Sequence, residues 1–200
     1  MRRPTFVLMM VTLLTAASWG SAARANRITN GAFDAFVPSN GTGGGWNSDF
    51  ISVPGGWYGS GGNPDAFFAL YSSTPTFDPR IQQTVSGLAI GTTYEVTGDY
   101  MLNLLALGNP AGSFEVRLDD TLVLLSTGPS AAQGVWAPFA TSFVATNTSH
   151  LISFVAQRFL SQHDYGVDNI VVRVPEPASL WLAGAGLAAI VGRQLRRRSA

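Results

Sequence analysis

The chain has 200 residues, 46% of them hydrophobic, and carries twelve arginines against twelve acidic residues with no lysine and no cysteine. The zero net charge is an average: residues 26–174 hold five arginines against eleven acidic residues, and the remaining arginines sit at the two ends. An acidic body without a basic stripe argues against nucleic acid or an anionic membrane surface as partner, and the lack of cysteine removes disulfides and thiolate metal sites.

The N-terminus reads as a processing segment. Arg2 and Arg3 form a positive start, residues 5–17 are an apolar run, and Ala23-Arg24-Ala25 has the small-x-small pattern cut by signal peptidase. Residues 1–25 are thus expected to be a secretory signal peptide, with the mature chain beginning at Asn26. A permanent N-terminal anchor is the alternative, disfavoured by the short apolar run and the small residues leading into the cut.

The body, 26–174, is long enough for one domain with a sizeable core. A first strand is expected over 27–34. Residues 41–62 come next, with nine glycines among 22 positions together with Trp46, Trp57 and Tyr58. Strands are expected over 66–71 and 80–85. From Thr93 the chain alternates, with Tyr94, Val96, Tyr100 and Leu102 on one face and Glu95, Thr97, Asp99 and Asn103 on the other, the period of a half-buried strand. Phe114, Val116 and Leu118 oppose Glu115 and Arg117; Asp119-Asp120 is a turn signal, and 121–125 is the returning hairpin arm. Further strands are expected over 136–144, 150–157 and 170–174. No part of the body sustains helical spacing. Roughly eight strands in one domain indicate an all-β, two-sheet antiparallel jelly-roll sandwich.

The tail, 175–200, has three parts in order. Pro175 and Pro177 around Glu176 end the folded body. Residues 178–192 are uncharged and apolar, about 22 Å as a helix at ~1.5 Å per residue against a hydrocarbon core of ~30 Å. A transmembrane span over 178–195 needs Leu195, with Arg193 reaching toward the headgroups. Arg193, Arg196, Arg197 and Arg198 would hold the end on the cytoplasmic side. This order closely resembles the PEP-CTERM sorting signal of Gram-negative bacteria that make exopolysaccharide. The resemblance implies export, temporary retention by the tail, recognition at Val174-Pro175-Glu176-Pro177 by a membrane-embedded exosortase, and delivery to the cell surface or extracellular matrix. An ordinary C-terminal anchor after a Pro-rich linker is the alternative.

A second resemblance is spread over the body. Asn26-Arg-Ile-Thr-Asn-Gly-Ala-Phe-Asp34, the strand Gly91-Thr-Thr-Tyr94-Glu-Val96-Thr-Gly-Asp-Tyr100 and the closing Asp168-Asn169-Ile170 look like galactose-binding-like sandwiches, which include many carbohydrate-binding modules. The resemblance implies a structural Ca2+ site shared by the first and last strands, here Asp34 and Asp168, with Asp34 standing where the family usually has glutamate. Independently, if Ile170, Val172 and Val174 face the core, Asp168 shares that inward face, and a carboxylate there needs a cation, hydrogen-bond donors or a raised pKa. Asp168-Asn169 as a simple turn cap is the alternative.

Trp46, Trp57 and Tyr58 in the glycine-rich region, with Asn63 and Asp65 for hydrogen bonds to hydroxyls, are the candidate carbohydrate platform, since an aromatic ring stacks on the apolar face of a pyranose. The competing reading makes these rings lids over the ends of the sandwich. Trp136, at a strand start, is expected to be core or sheet-edge packing. Catalysis finds little support. His150 and His163 are too far apart for a local metal motif, His163-Asp164 lacks a nucleophile elbow and reads as an exposed loop, and Glu115 with Asp119 or Glu95 with Asp99 read as solvent-facing positions of one strand. The expectation is a non-catalytic surface or matrix protein that binds carbohydrate, such as the polysaccharide its host secretes. A purely structural or adhesive surface protein and, more distantly, a small secreted hydrolase are the alternatives.

Overall fold

The computed structural model describes residues 25–73, 76–102, 112–127, 134–157 and 163–175. Residues 1–24 of the expected signal peptide, Glu176, Pro177, the apolar run and Arg193, Arg196, Arg197 and Arg198 lie outside the described residues. The unit Asn26–Arg173 contains eleven described strands: β1 (Gly41–Gly43), β2 (Trp46–Asp49), β3 (Gly56–Tyr58), β4 (Phe67–Ser72), β5 (Arg80–Ser86) and β6 (Thr93–Leu102). They continue as β7 (Phe114–Leu118), β8 (Leu122–Thr127), β9 (Ala137–Val144), β10 (Ser149–Ala156) and β11 (His163–Arg173). No described segment is helical.

Two antiparallel sheets face each other, a six-stranded one in the order β1-β2-β5-β10-β7-β8 and a five-stranded one in the order β3-β4-β11-β6-β9. From β5 onward the chain passes back and forth between them, with only the β7–β8 hairpin staying in one sheet, which is the jelly-roll wiring expected from the sequence. The periodicity explains the layering. Tyr94, Val96 and Tyr100 of β6, Ile81 and Val85 of β5, and Ile152 and Phe154 of β10 are all buried between the sheets. A run of rings fills the middle: Tyr100 stacks on Phe114 at 5.2 Å, Phe114 meets Tyr165 at 5.9 Å, and Trp46 meets Phe154 edge-on at 6.0 Å. Such pairs add about 0.5–1.5 kcal/mol each beyond the area they bury, which matters in a domain without disulfides.

Four local features differ from the expectation. Residues 27–34 are not a strand, because Asn30 and Phe33 take positive φ values of 53° and 54° that no ladder accepts. Side-chain amides replace the missing ladder. Gln83 points inward from β5, accepts from Thr29 N–H at 2.7 Å and donates to the Thr29 and Gly45 carbonyls at 3.0 and 2.7 Å. Asn26 Oδ1 accepts from the N–H groups of Ile28 and Val172 at 3.0 and 2.9 Å. The buried polar groups are thereby paired, as they must be.

The glycine-rich region 41–62, where the sequence pattern announces no strand, contributes the short strands β1, β2 and β3. The last strand is longer than expected: His163, read as an exposed loop, begins β11, its backbone paired opposite Ser72. β11 carries an irregularity, since Asp168 opposes Asp99 but the next paired residue, Val171, opposes Thr97. Asn169 supplies the turn at φ 53°. An extra residue in one strand reverses the facing of every residue after it. Ile170 and Val172 therefore face the core, and Asp168 does not share their face: it projects on the opposite side with Asp164 and Gly166. That corrects the inward placement read from the sequence.

The hairpin turn behaves as its residues require. Asp119 and Asp120 both have positive φ, 52° and 59°, the conformation of a two-residue turn matched to strand twist. His150 Nε2 accepts from the N–H groups of Thr146 and Asn147 at 3.1 and 3.2 Å, so Nδ1 carries the proton toward Asp119 Oδ2 at 2.7 Å. The pair ties the β7–β8 turn to the start of β10.

Candidate functional site

The outer surface of the five-stranded sheet is not uniformly polar. Alternation puts Phe67 and Ala69 of β4, Gly166 of β11 and Met101 of β6 there, and the registers make them neighbours: Gly166 lies opposite both Ala69 and Met101. Tyr58 of β3 lies opposite Phe67. The result is a second small apolar cluster of Phe67, Ala69 and Met101, with Tyr58 and Trp136 packed partly exposed against it. Tyr58 stacks on Phe67 at 5.0 Å and 12°, and Trp136 meets Phe67 edge-on at 5.6 Å and 81°.

The floor of this cluster is Gly166. A Cβ there would come within 3.1–3.2 Å of Trp136, Met101 and Phe67, so the missing side chain is what lets three large groups converge. Both polar tips are anchored: Trp136 Nε1 donates to the Gly61 carbonyl at 3.3 Å, and the Tyr58 hydroxyl donates to the Pro54 carbonyl at 2.5 Å. Burial raises the Tyr58 hydroxyl pKa, and the Asp164 carboxylate raises it further. The anchors hold the ring planes in place before any ligand arrives, which lowers the entropy cost of binding.

The same face continues into a groove of about 470 Å³ lined by Thr97, Gly98, Asp99, Pro138, Phe139, Ala140, Asn169 and Arg173. Thr97, Asp99 and Met101 succeed one another along the outer face of β6, so aromatic cluster and polar groove are one strip. The irregularity in β11 builds the polar end. Asn169 Nδ2 donates to Asp99 Oδ2 at 2.9 Å and to the Asn63 carbonyl, and Asn63 Nδ2 donates to Asp99 Oδ2 at 3.3 Å. Arg173 Nε lies 3.4 Å from Glu95 Oε2.

Asp168 lies beneath this network, buried, with one N–H on each oxygen: Asn63 N–H to Oδ2 and Asn169 N–H to Oδ1, both at 2.7 Å. Burial pushes its carboxyl pKa up to about 6, against the two backbone N–H groups, which lower it, and with Asp99 and Asp34 raising it further. The charge suits a cation. Among the described residues, however, no three His, Cys, Asp or Glu side chains converge to hold a metal ion. A calcium ion at Asp34 and Asp168 would have to complete its six to eight oxygen ligands from backbone carbonyls or water.

The candidate sugar residues divide. Tyr58 and Asn63 come to the outer face. Asp65 is exposed in the adjoining loop, where its carbonyl accepts from Gly62 N–H at 2.8 Å. Trp46 is not a platform: it is fully buried, stacked on Phe33 at 5.5 Å with Nε1 donating to the Asn30 carbonyl at 2.9 Å. Trp57 turns to the inner side of the edge strand β3, paired opposite the core residue Phe68, and its Nε1 donates to the Phe33 carbonyl at 2.7 Å. It is a half-buried lid, met edge-on by Phe36 at 5.6 Å. Sequence reasoning missed Phe67, Met101, Trp136, Asn169 and Arg173 as parts of one face. The available signal was Gly166 between two acidic positions, a gap in the last strand where an outward side chain belongs.

Val174 and Pro175 of the sorting motif are described, Val174 half-buried and Pro175 exposed. Residues 173–198 match the family model described as the PEP-CTERM protein-sorting motif. The chain therefore carries an exosortase sorting signal, the mark of a secreted surface protein. No curated protein is similar to the chain in sequence. Among solved structures, a Bacteroides thetaiotaomicron protein assigned to sugar binding superposes with a TM-score of 0.52 at 11% identity, over 76% of this chain and 100% of that one. The carbohydrate-binding module TmCBM61, solved with β-1,4-galactotriose, superposes with a TM-score of 0.51 at 13% identity, over 76% of this chain and 99% of that module. Identities this low show a shared sandwich fold.

Proposed function

We propose that the exported, exosortase-sorted protein is non-catalytic and binds a polysaccharide on the outer face of the five-stranded sheet. The observation that carries this reading is the continuity of that face: two anchored, partly exposed rings, Tyr58 and Trp136, run into a groove bordered by Thr97, Asp99, Asn169 and Arg173. Rings offer an apolar surface to a pyranose, and the carboxylate, amide and hydroxyl groups beside them suit its hydroxyls. The bound galactotriose of the TmCBM61 structure makes β-1,4-galactan a sensible first probe. Exosortase would be the processing partner and an extracellular polysaccharide the ligand.

A structural or adhesive surface protein without a specific ligand is the second reading. It is favoured by the fates of Trp46 and Trp57, whose rings go to the core and to a half-buried lid over it. Substitution separates the two. Trp136→Ala and Tyr58→Ala should weaken binding in affinity electrophoresis against a panel of polysaccharides at a modest cost in stability. Trp46→Ala should cost ~3–5 kcal/mol as a large-to-small core change and leave the affinity of the folded fraction unchanged. Absence of binding across the panel for the unsubstituted protein would leave the structural reading standing.

A further inference from the structure

Resting on the carbohydrate reading of the face, we infer that its ligand is a neutral polysaccharide, and that the face rejects polymers carrying carboxylate or sulfate groups. The charge inventory points this way. Among the described arginines only Arg173 reaches the groove, and it is already paired with Glu95 at 3.4 Å. Arg80 lies in the other sheet between Asp49 and Asp120, at 3.5 and 3.6 Å, and Arg117 is held there by Glu115 at 2.7 Å. Arg27 sits near Gly87, at the end of β5. With Arg173 and Glu95 paired to each other, the groove keeps the Asp99 carboxylate, with the buried Asp168 beneath it and Asp34 near enough to act on Asp168.

Hydrogen-bond chemistry leads to the same conclusion. Asp99 is an acceptor, Asn63 and Thr97 offer both donors and acceptors, and Asn169, whose amide hydrogens go to Asp99 and the Asn63 carbonyl, offers its Oδ1 as an acceptor. Sugar hydroxyls also donate and accept, so they match this set. A uronate carboxylate or a sulfate only accepts. Placed in the groove it would face Asp99 acceptor to acceptor, and like charges at short range disfavour the wrong partner more than they strengthen the right one. The aromatic end does not relieve this, because stacking is indifferent to a charge carried on the ring's edge.

The test compares one backbone in two charge states. The exported protein, purified from the cell surface, is titrated with unsubstituted galactan and glucan and with the carboxymethyl derivative of each, in chelator so that no divalent cation bridges carboxylates. The unsubstituted polymer should bind at least about tenfold more tightly at low ionic strength. Added salt should narrow that gap, because it screens exposed charges, and Asp99→Asn should narrow it at constant salt. Equal or tighter binding of the carboxymethyl form, or a gap that neither salt nor Asp99→Asn changes, would overturn the selectivity while leaving carbohydrate binding intact. Failure of every polymer to bind would instead overturn the reading on which the selectivity rests.

Discussion

Asp168 and Asp99 stand opposite each other in the β11–β6 ladder, and Asn169 serves both: its backbone N–H donates to Asp168 at 2.7 Å and its side-chain amide to Asp99 at 2.9 Å. Two carboxylates share one neighbourhood, and among the described residues no arginine pairs with either. Only Asp168 is buried, and the difference in solvation sets them apart chemically.

The first consequence is a pH dependence of stability with a definite sign. The Asp168 carboxyl is raised from 3.8 to about 6 in the folded domain, so the native state holds a proton more tightly than the unfolded chain. The destabilisation from its ionised form is fully present above pH ~6 and is relieved as pH falls from there toward the unfolded value near 4. In chelator, thermal unfolding between pH 7 and 5 should therefore show the unsubstituted protein gaining stability relative to Asp168→Asn. Parallel pH profiles for the two proteins would contradict the assignment.

Calcium would act on the same charge from the opposite direction. If Asp34 and Asp168 hold the ion with backbone carbonyls, calcium should raise the melting temperature by mass action on the folded state and chelation should lower it. Asp168→Ala should lose that response. Melting curves unmoved by calcium or chelator mean that the Asn63 and Asn169 N–H groups alone hold the carboxylate.

Gly31 lies against the irregularity in β11. A Cβ there would sit 2.0 Å from the Ile170 carbonyl oxygen, while the Gly31 carbonyl accepts from Ile170 N–H at 2.9 Å. Gly31→Ala must push the two segments apart, at a cost of about 3 kcal/mol, the upper end of ordinary overpacking. Denaturant unfolding measures it. Because the same irregularity sets Asn169 at the groove and Asp168 beneath it, binding should weaken along with stability. An unaltered midpoint would show that residues 27–34 can move away freely.

Sorting makes the fourth prediction. Protein released from the cell surface should begin at Asn26 and end near Pro175-Glu176-Pro177 by mass spectrometry. Replacing Pro175, Glu176 and Pro177 with alanine should leave the chain in the inner membrane. Recovery of the C-terminus through Ala200 outside the cell would rule out this route.

How far the sequence alone reaches depends on whether a feature is local. The alternation of Tyr94, Val96 and Tyr100, of Ile81 and Val85, and of Phe114, Val116 and Leu118 determined strands, faces and core, because a side chain's side of a strand is set by position parity. Asp119-Asp120 determined a hairpin turn by its own backbone preference. The PEP-CTERM tail was legible for the same reason, as a contiguous order of proline, apolar and basic segments.

The three tryptophans of the body were not legible in this way. Trp46, Trp57 and Trp136 became core, lid and outer-face ring through the strands they pair with and the rings they meet, which lie far away in the chain. Gln83 could replace a ladder for Thr29 only because folding brings residues 54 positions apart into contact. Asp168 shows the limit most plainly. One extra residue in β11 reverses the parity that would have sent it inward, and only the pairing with β6 reveals that residue. The sequence by itself determined two sheets and a sorted tail. The tertiary structure decided which face carries exposed rings beside a polar groove, because exposure and charge environment are sums over neighbours that local pattern does not contain.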